Sequence, residues 1–293
     1  MRERVEYAIA VVLLNLLRYL PLSLSYRVGY GVARLLDLLL PKLRAAALRN
    51  LSMAFPELTR AEHRRITDGV FRTVGRMLVA LARFPTINKS NVGDWISYQG
   101  LEHYQAAKQK GRGVLIATAH LGNWELSAFA HALMTEPMNV MVRPLDNPFV
   151  DQLVEERRTL SGNRLILKKD AARSVLKALK NNEPVGVLID QNTTPAEGVF
   201  INFFGKAACA GVGFVKLAQR AQAPVIPGFA LWHAATGCYV LHFLPEVPLT
   251  GDPVMDTQKV HAALEEVIRQ HPDQWMWIHR RWKTRPPGEP SFY

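Results

Sequence analysis

The first forty residues are dominated by two apolar runs broken by single polar residues. Residues 5–17 are almost all apolar, with Asn15 the main exception; Arg18 interrupts the run and Pro21 ends it. A second stretch, 28–40, follows at once with Arg34 and Asp37 inside it. The first run falls short of the roughly 20 apolar residues that cross a hydrocarbon core. The pair reads as a helical hairpin that dips into or lies on one leaflet. Two buried core helices are the alternative, since short apolar runs do not separate the two cases. Arg2 and Arg4 resemble the basic start of a signal peptide, but no small-residue cleavage site follows.

Pro41 separates this region from a third predicted helix over 43–54. Thr59 and Glu62 form a Thr-x-x-Glu capping pattern, so an amphipathic helix is expected to run to about Arg83, with Pro85 as its stop. The pattern then changes. Residues 114–118 read as a short buried strand after Gly111 and Gly113, and 138–142, 185–189 and 224–229 read as three more. Helical patterns occupy 123–133, 148–160, 171–180 and 213–221. Strands alternating with helices of this length predict an α/β fold with a mostly parallel central sheet flanked by helices. Ligands in such sheets sit beyond the carboxyl ends of the strands. The expected organisation is N-terminal membrane-associated helices over 1–41, then one domain over 42–293 with a helical lead-in (42–85) and an α/β core (95–293).

Composition adds limits. Of 293 residues, 48% are hydrophobic and 21% charged, which is globular and fits one large domain or two small ones. Only Cys209 and Cys238 are present, too few for a disulfide framework or a four-cysteine zinc site. Nothing requires an oxidising compartment, so a cytoplasmic face is expected. The formal net charge of +11 attracts anions: nucleic acid, anionic lipid, phosphorylated substrate or acidic protein. The basic residues are scattered and no nucleic-acid motif with interleaved aromatics is visible, so no nucleic-acid partner is expected. No metal triad is visible either.

The chemistry centres on the predicted strand 114–118, which runs into Ala119-His120-Leu-Gly-Asn-Trp-Glu125. This places His120 at the carboxyl end of a central strand. Gly122 permits a tight turn, Asn123 can cap the next helix, and Glu125 falls in that helix's first turn. Across a strand-turn-helix, His120 and Glu125 can converge. A carboxylate on one imidazole nitrogen fixes the tautomer and raises basicity; the other nitrogen can then take a proton from a substrate hydroxyl. The alternative is a capped helix with a packed histidine.

His120-Leu-Gly-Asn-Trp-Glu125 matches the His-x4-Glu motif of the lipid A late acyltransferases, within a wider lysophospholipid acyltransferase superfamily whose glycerolipid members carry His-x4-Asp. Further blocks resemble the family: Arg143-Pro-Leu-Asp-Asn-Pro148, Arg158 at the family's spacing after it, Asp190-Gln191 at a strand end, Phe203-Phe204-Gly205, and Trp277-Ile-His-Arg-Arg-Trp-Lys-Thr-Arg-Pro286. The similarity covers essentially the whole chain. It implies acyl transfer from an acyl thioester to a hydroxyl of a lipid A precursor, with His120 as base and Glu125 as its partner. It implies acyl-acyl carrier protein as donor, with acyl-CoA as the alternative, and no metal or organic cofactor. Expected partners are the acidic carrier protein, an anionic glycolipid acceptor and a membrane surface, at the cytoplasmic face of the bacterial inner membrane. Mycobacterial phosphatidylinositol mannoside acyltransferases share His-x4-Glu, which leaves the acceptor open to that lipid or a lysophospholipid; a non-catalytic lipid-binding protein is the rival outside enzymes. One position departs: the family often has Thr five residues after the Phe-Phe-Gly glycine, where this chain has Ala210.

The expected substrate-binding residues are Arg143, Asn147, Arg158, Asp190 and Gln191. Asp190 ends a buried strand, where a carboxylate needs a partner; Arg158 or Arg143 is expected to supply it, in a site role or a structural salt bridge. Arg158 offers a fork suited to phosphate, with Arg157 beside it as a solvated neighbour. Asn147 also reads as a helix cap. Trp275 and Trp277 fit either a membrane interface or buried core. His279, Arg280 and Arg281 read as structural or anion-contacting.

Overall fold

Two helical layers and one sheet follow from the change of period near residue 95. The computed structural model describes residues 1–167 and 171–293. The N-terminal third is helical: α1 (Arg2–Tyr19), α2 (Leu22–Leu39), α3 (Pro41–Ala54) and α4 (Arg60–Arg83). Strands and helices then alternate through β1 (Ile96–Gln99), α5 (Leu101–Gln109), β2 (Val114–Thr118), α6 (Trp124–Met134), β3 (Asn139–Val142), α7 (Pro148–Thr159) and β4 (Arg164–Leu167). After α8 (Ala171–Lys180) and β5 (Pro184–Leu188) come the hairpin β6 (Gly198–Phe203) and β7 (Lys206–Gly211), then α9 (Gly213–Ala221), β8 (Val225–His233), β9 (Cys238–Phe243) and α10 (Pro253–Gln270).

The main sheet has the order β1-β9-β8-β2-β5-β3-β4. Every neighbouring pair is parallel except β8 and β9, which form an antiparallel hairpin. The fold is therefore the expected α/β class with a mostly parallel sheet. The four expected strands and the four helices between them are present, with ends shifted by at most four residues. Pattern reading passed over β1, β4, β9 and the β6–β7 hairpin. β1 and β4 are four-residue strands at the two edges of the sheet, too short to show a period.

β2 lies at the centre and is covered on both faces. Val114 and Ile116 join a core with α5, α6 and the end of α4, whereas Leu115 and Ala117 join a core with α8, α9 and α10. Successive side chains point to opposite faces, so a continuous apolar run is what a doubly covered strand requires.

The N-terminal helices each have one side packed on the protein and one side open. α1 buries Leu14 and Leu17 against Val79 and Ala82 of α4. α2 turns the small residues Ser25, Gly29 and Ala33 toward the protein, and the buried Asp37 carboxylate is gripped by both nitrogens of the Arg44 fork at 2.7 Å. The opposite sides stay open: Val5, Ile9, Val12 and Leu16 on α1, and Leu35, Leu36, Leu38 and Leu39 on α2, are exposed. No helix among the described residues is long and apolar enough to cross a membrane. α4 starts on the expected capping box, with Glu62 N–H donating to Thr59 Oγ1 and Thr59 N–H to Glu62 Oε2.

α2 and α4 touch backbone to backbone. A Cβ at Gly29 would lie 2.9 Å from Gly75 O and from Val79 Cγ2, while Gly31 has open space. Gly29→Val should therefore overpack the crossing and cost about 1–3 kcal/mol, whereas Gly31→Val should be neutral or slightly stabilising, since valine is the better helix former. Thermal melts and limited proteolysis of α2 check this; equal stability of the two variants would remove the close crossing as a determinant.

Candidate active site

The register of two central strands builds the site. Thr118 of β2 pairs with Leu188 of β5, and the Ile189 N–H donates to Thr118 O just beyond. Two residues past each strand end, His120 and Asp190 stand side by side. The imidazole Nδ1–H donates to Asp190 Oδ1 at 2.8 Å. The His120 backbone N–H donates to Asp190 Oδ2 at 3.0 Å, and the Trp275 indole N–H to the same oxygen at 2.8 Å. Asp190 is buried and its carboxylate is met by three N–H groups. This fixes the tautomer, leaving the Nε2 lone pair of a partly exposed ring pointing outward. There the Gln191 side-chain amide is its neighbour at 3.3 Å, and the Trp124 ring packs edge-on against the imidazole with centroids 4.9 Å apart.

The turn after His120 is as tight as the sequence implies. Gly122 has φ +65°, and a Cβ there would lie 1.9 Å from Ala230 O. Asn123 N–H donates to that same carbonyl, and Asn123 Oδ1 caps α6 by accepting from Leu126 N–H. Glu125 thus enters in the first turn of α6, but it does not hydrogen-bond His120. Its two oxygens are held by Arg158 of α7, from Nε at 2.8 Å and from Nη2 at 2.5 Å. The expected pairings are therefore exchanged. Asp190, not Glu125, is bonded to the imidazole, and Glu125, not Asp190, takes Arg158. The reason is topological: β2 and β5 are neighbours, so their ends meet, whereas the first turn of α6 faces α7.

The remaining expected residues divide. Arg143 is exposed at the carboxyl end of β3 with no ion pair among the described residues. Asn147 caps α7, accepting from Phe149 and Val150 N–H, and its amide donates to Glu3 O and Glu6 Oε2 of α1 at 2.9 and 2.8 Å. Both ends of this side chain are thus engaged within the fold. Arg157, expected to be solvated, is buried. Trp275 and Trp277 are core residues, with the Trp277 indole N–H donating to Pro272 O. Sequence reasoning missed Trp275 as a donor to Asp190; its neighbourhood in the C-terminal signature was the only hint.

The electrostatics follow the hydrogen bonds. Burial pulls the His120 pKa down, but the Asp190 charge and hydrogen bond, helped by the Glu125 charge, outweigh it and leave the imidazole above its ordinary value. Burial pushes Asp190 up, yet His120 and the Trp275 N–H more than reverse this, so the carboxyl stays well below the usual range. An ionised carboxylate behind a basic imidazole can orient it and stabilise the imidazolium, while Nε2 accepts a proton.

The sequence model describing the bacterial lipid A biosynthesis acyltransferases matches residues 2–284. The chain belongs to this family. It is 31% identical over 279 residues to the lipid A biosynthesis lauroyltransferase of Escherichia coli K12, spanning 94% of this chain and 90% of that one. Over 250 residues it is 28% identical to a lipid A biosynthesis acyltransferase of Haemophilus influenzae, covering 85% and 78% of the two chains. The Escherichia coli K12 palmitoleoyltransferase is 27% identical over 278 residues, with 94% and 90% coverage. Within this acyltransferase, Ala210, where the family often has Thr, is fully buried in β7 opposite Val199.

The Asp190–His120 pair predicts a pH effect. A base must be neutral, so activity should rise with pH through the His120 pKa, which lies above about 6.5. Asp190→Asn removes the charge that raises this pKa and leaves burial, so the acidic limb should move to lower pH. Turnover on the plateau should fall by as much as about 10⁴-fold, the loss that the same change gives in the serine-protease triad. A pH–rate profile measures both; an unmoved limb would show that Asp190 is not the counter-ion of the imidazole.

Proposed function

We propose that this acyltransferase moves a fatty acyl chain from an acyl thioester to a hydroxyl of a lipid A precursor, with His120 as general base. The observation that carries the reading is the imidazole locked by Asp190 at Nδ1 with its Nε2 side partly exposed. The acceptor hydroxyl oxygen attacks the thioester carbonyl carbon while its proton passes to Nε2. Collapse of the tetrahedral intermediate breaks the carbon–sulfur bond, and the departing thiolate takes the proton back from the imidazolium. The products are an ester and a free thiol, and no enzyme nucleophile is needed. Glu125 acts through its charge on His120 and by holding Arg158.

Acyl-acyl carrier protein is the donor we favour. The supporting feature is charge: a protein of net +11 attracts an acidic carrier. The acceptor is an anionic glycolipid. The similarity to the lipid A biosynthesis lauroyltransferase and palmitoleoyltransferase of Escherichia coli K12 supports the acceptor class. The decisive assay supplies purified protein with acyl-acyl carrier protein and a lipid A precursor and follows the acylated lipid by mass spectrometry. His120→Ala should lower turnover by roughly 10²–10⁴-fold; it also removes one of the three donors to buried Asp190, so a stability loss of about 1–3 kcal/mol in a still-folded protein is expected beside it. Near-normal transfer by this variant would overturn the base assignment.

Membrane attachment at the cytoplasmic face of the inner membrane belongs to the same proposal. The open apolar sides of α1 and α2 are its support, and exposed Leu145 and Phe149 extend this surface beside Asn147, which is bonded to α1. Both cysteines are free, which suits a reducing compartment. Ile9 and Val12 are 62% and 68% exposed, so Ile9→Asp and Val12→Asp should leave the fold intact. Burying a large aliphatic side chain is worth about 1.5–3 kcal/mol, so each variant should weaken sedimentation with phosphatidylglycerol vesicles roughly tenfold or more. Unchanged sedimentation would rule out this face as the membrane contact.

A further inference from the structure

A cleft of about 480 Å³ opens between the start of α3 and the C-terminal segment, beside the catalytic turn but outside it. Three cations converge on it: Lys42 from the first turn of α3, and Arg280 and Lys283 from the segment after α10. No carboxylate stands among its lining residues. None of the three cations forms an ion pair among the described residues, whereas the arginines around Asp37 and Glu125 are paired within the fold. Lys42 also sits at the partially positive end of α3, whose N-cap Leu40 supplies no side-chain acceptor. The wall between the cations includes Leu43 and Ile278, so an anion with an apolar attachment fits better than a bare ion.

The cleft is wired to the site. His279 lines it and accepts the Asn192 backbone N–H at its Nε2, 3.2 Å away. Asn192 follows Gln191, whose amide faces His120. Burial pushes the His279 pKa down to about 4, so this ring is a neutral acceptor and the three cations supply the charge. The loop is held by Asn192, whose side chain exchanges hydrogen bonds with Thr284 at 3.0 and 3.1 Å.

We propose that this cleft binds a phosphate group carried by one of the two substrates, holding it while the reacting atoms lie at His120. The identity of the substrates rests on the acyl-transfer reading above; the anion site itself does not. The phosphate has two chemical sources, the phosphorylated sugar of the acceptor and the phosphopantetheine arm of the donor.

Two measurements on the full chain in detergent test this. In the first, inorganic pyrophosphate is titrated calorimetrically into wild type, Lys42→Ala, Lys283→Ala and the control Lys89→Ala, an exposed lysine elsewhere on the surface. Wild type and the control should bind alike, and each cleft variant should bind roughly tenfold more weakly, the scale of one charge-assisted contact. Equal binding in all four proteins, or none in wild type, overturns the site. In the second, KM is measured for each substrate with the other saturating. A roughly tenfold rise for the acceptor alone assigns the phosphate to the acceptor, a rise for the donor alone assigns it to the carrier arm, and kcat should change little. Unchanged KM for both overturns the substrate role. If wild type transfers no acyl group, the acyl-transfer reading fails while the pyrophosphate titration still decides the anion site.

Discussion

A buried carboxylate at the centre of the sheet sets the terms for the rest of the structure. Asp190 could not remain ionised there unless N–H groups replaced the water it lost. They come from the turn after β2, twice, and from the indole of Trp275 far along the chain. The backbone follows the same route. Leu121 bridges to Trp275, Met276 N–H donates to His120 O, and Gly122 N–H donates to Gln274 O. The segment after α10 is thereby fastened across the strand ends. Trp275, Trp277 and Trp282 then fill the core beneath, where they stack around Phe203 and Phe204. One charge thus joins three parts of the chain, and removing it would loosen packing as well as chemistry.

The fold was legible where periods are long and apolar. The central strand 114–118 and the helices 171–180 and 213–221 coincide with observed elements. Edge strands were not legible, because four residues carry no period. The site was half legible for a related reason. Sequence places His120 and Asp190 each at the end of a buried strand, yet it gives no strand order, and only the adjacency of β2 and β5 brings the two together. Without that order, the carboxylate nearest in sequence, Glu125, was the natural partner to assign. Local geometry such as the Asn123 and Asn147 caps was readable, since it depends on residues within three positions.

The N-terminal helices show why composition alone left two readings. An amphipathic helix normally has one apolar stripe. Here α1 and α2 are apolar on two sides, one packed on α4 and the other open. α1 packs with Leu14 and Leu17, whereas the packed side of α2 uses small residues and approaches α4 closely enough for backbone contact at Gly29 and Gly75. The open side uses leucine, isoleucine and valine, which gain little from that packing.

The Arg158–Glu125 pair also follows from the demands of the imidazole. An unpaired guanidinium beside His120 would disfavour the imidazolium and lower its pKa, weakening it as a base. Glu125 meets the fork in a bidentate contact, and its charge helps raise the His120 pKa. The same contact commits two nitrogens of the Arg158 fork to a carboxylate. The Nε–Nη2 edge of the fork is thus taken up by Glu125. In the proposed anion site, recognition rests on cations that form no ion pair among the described residues, as is also true of Arg143. Keeping the two kinds of cation apart would let the proposed cleft hold an anion without disfavouring the imidazolium of His120.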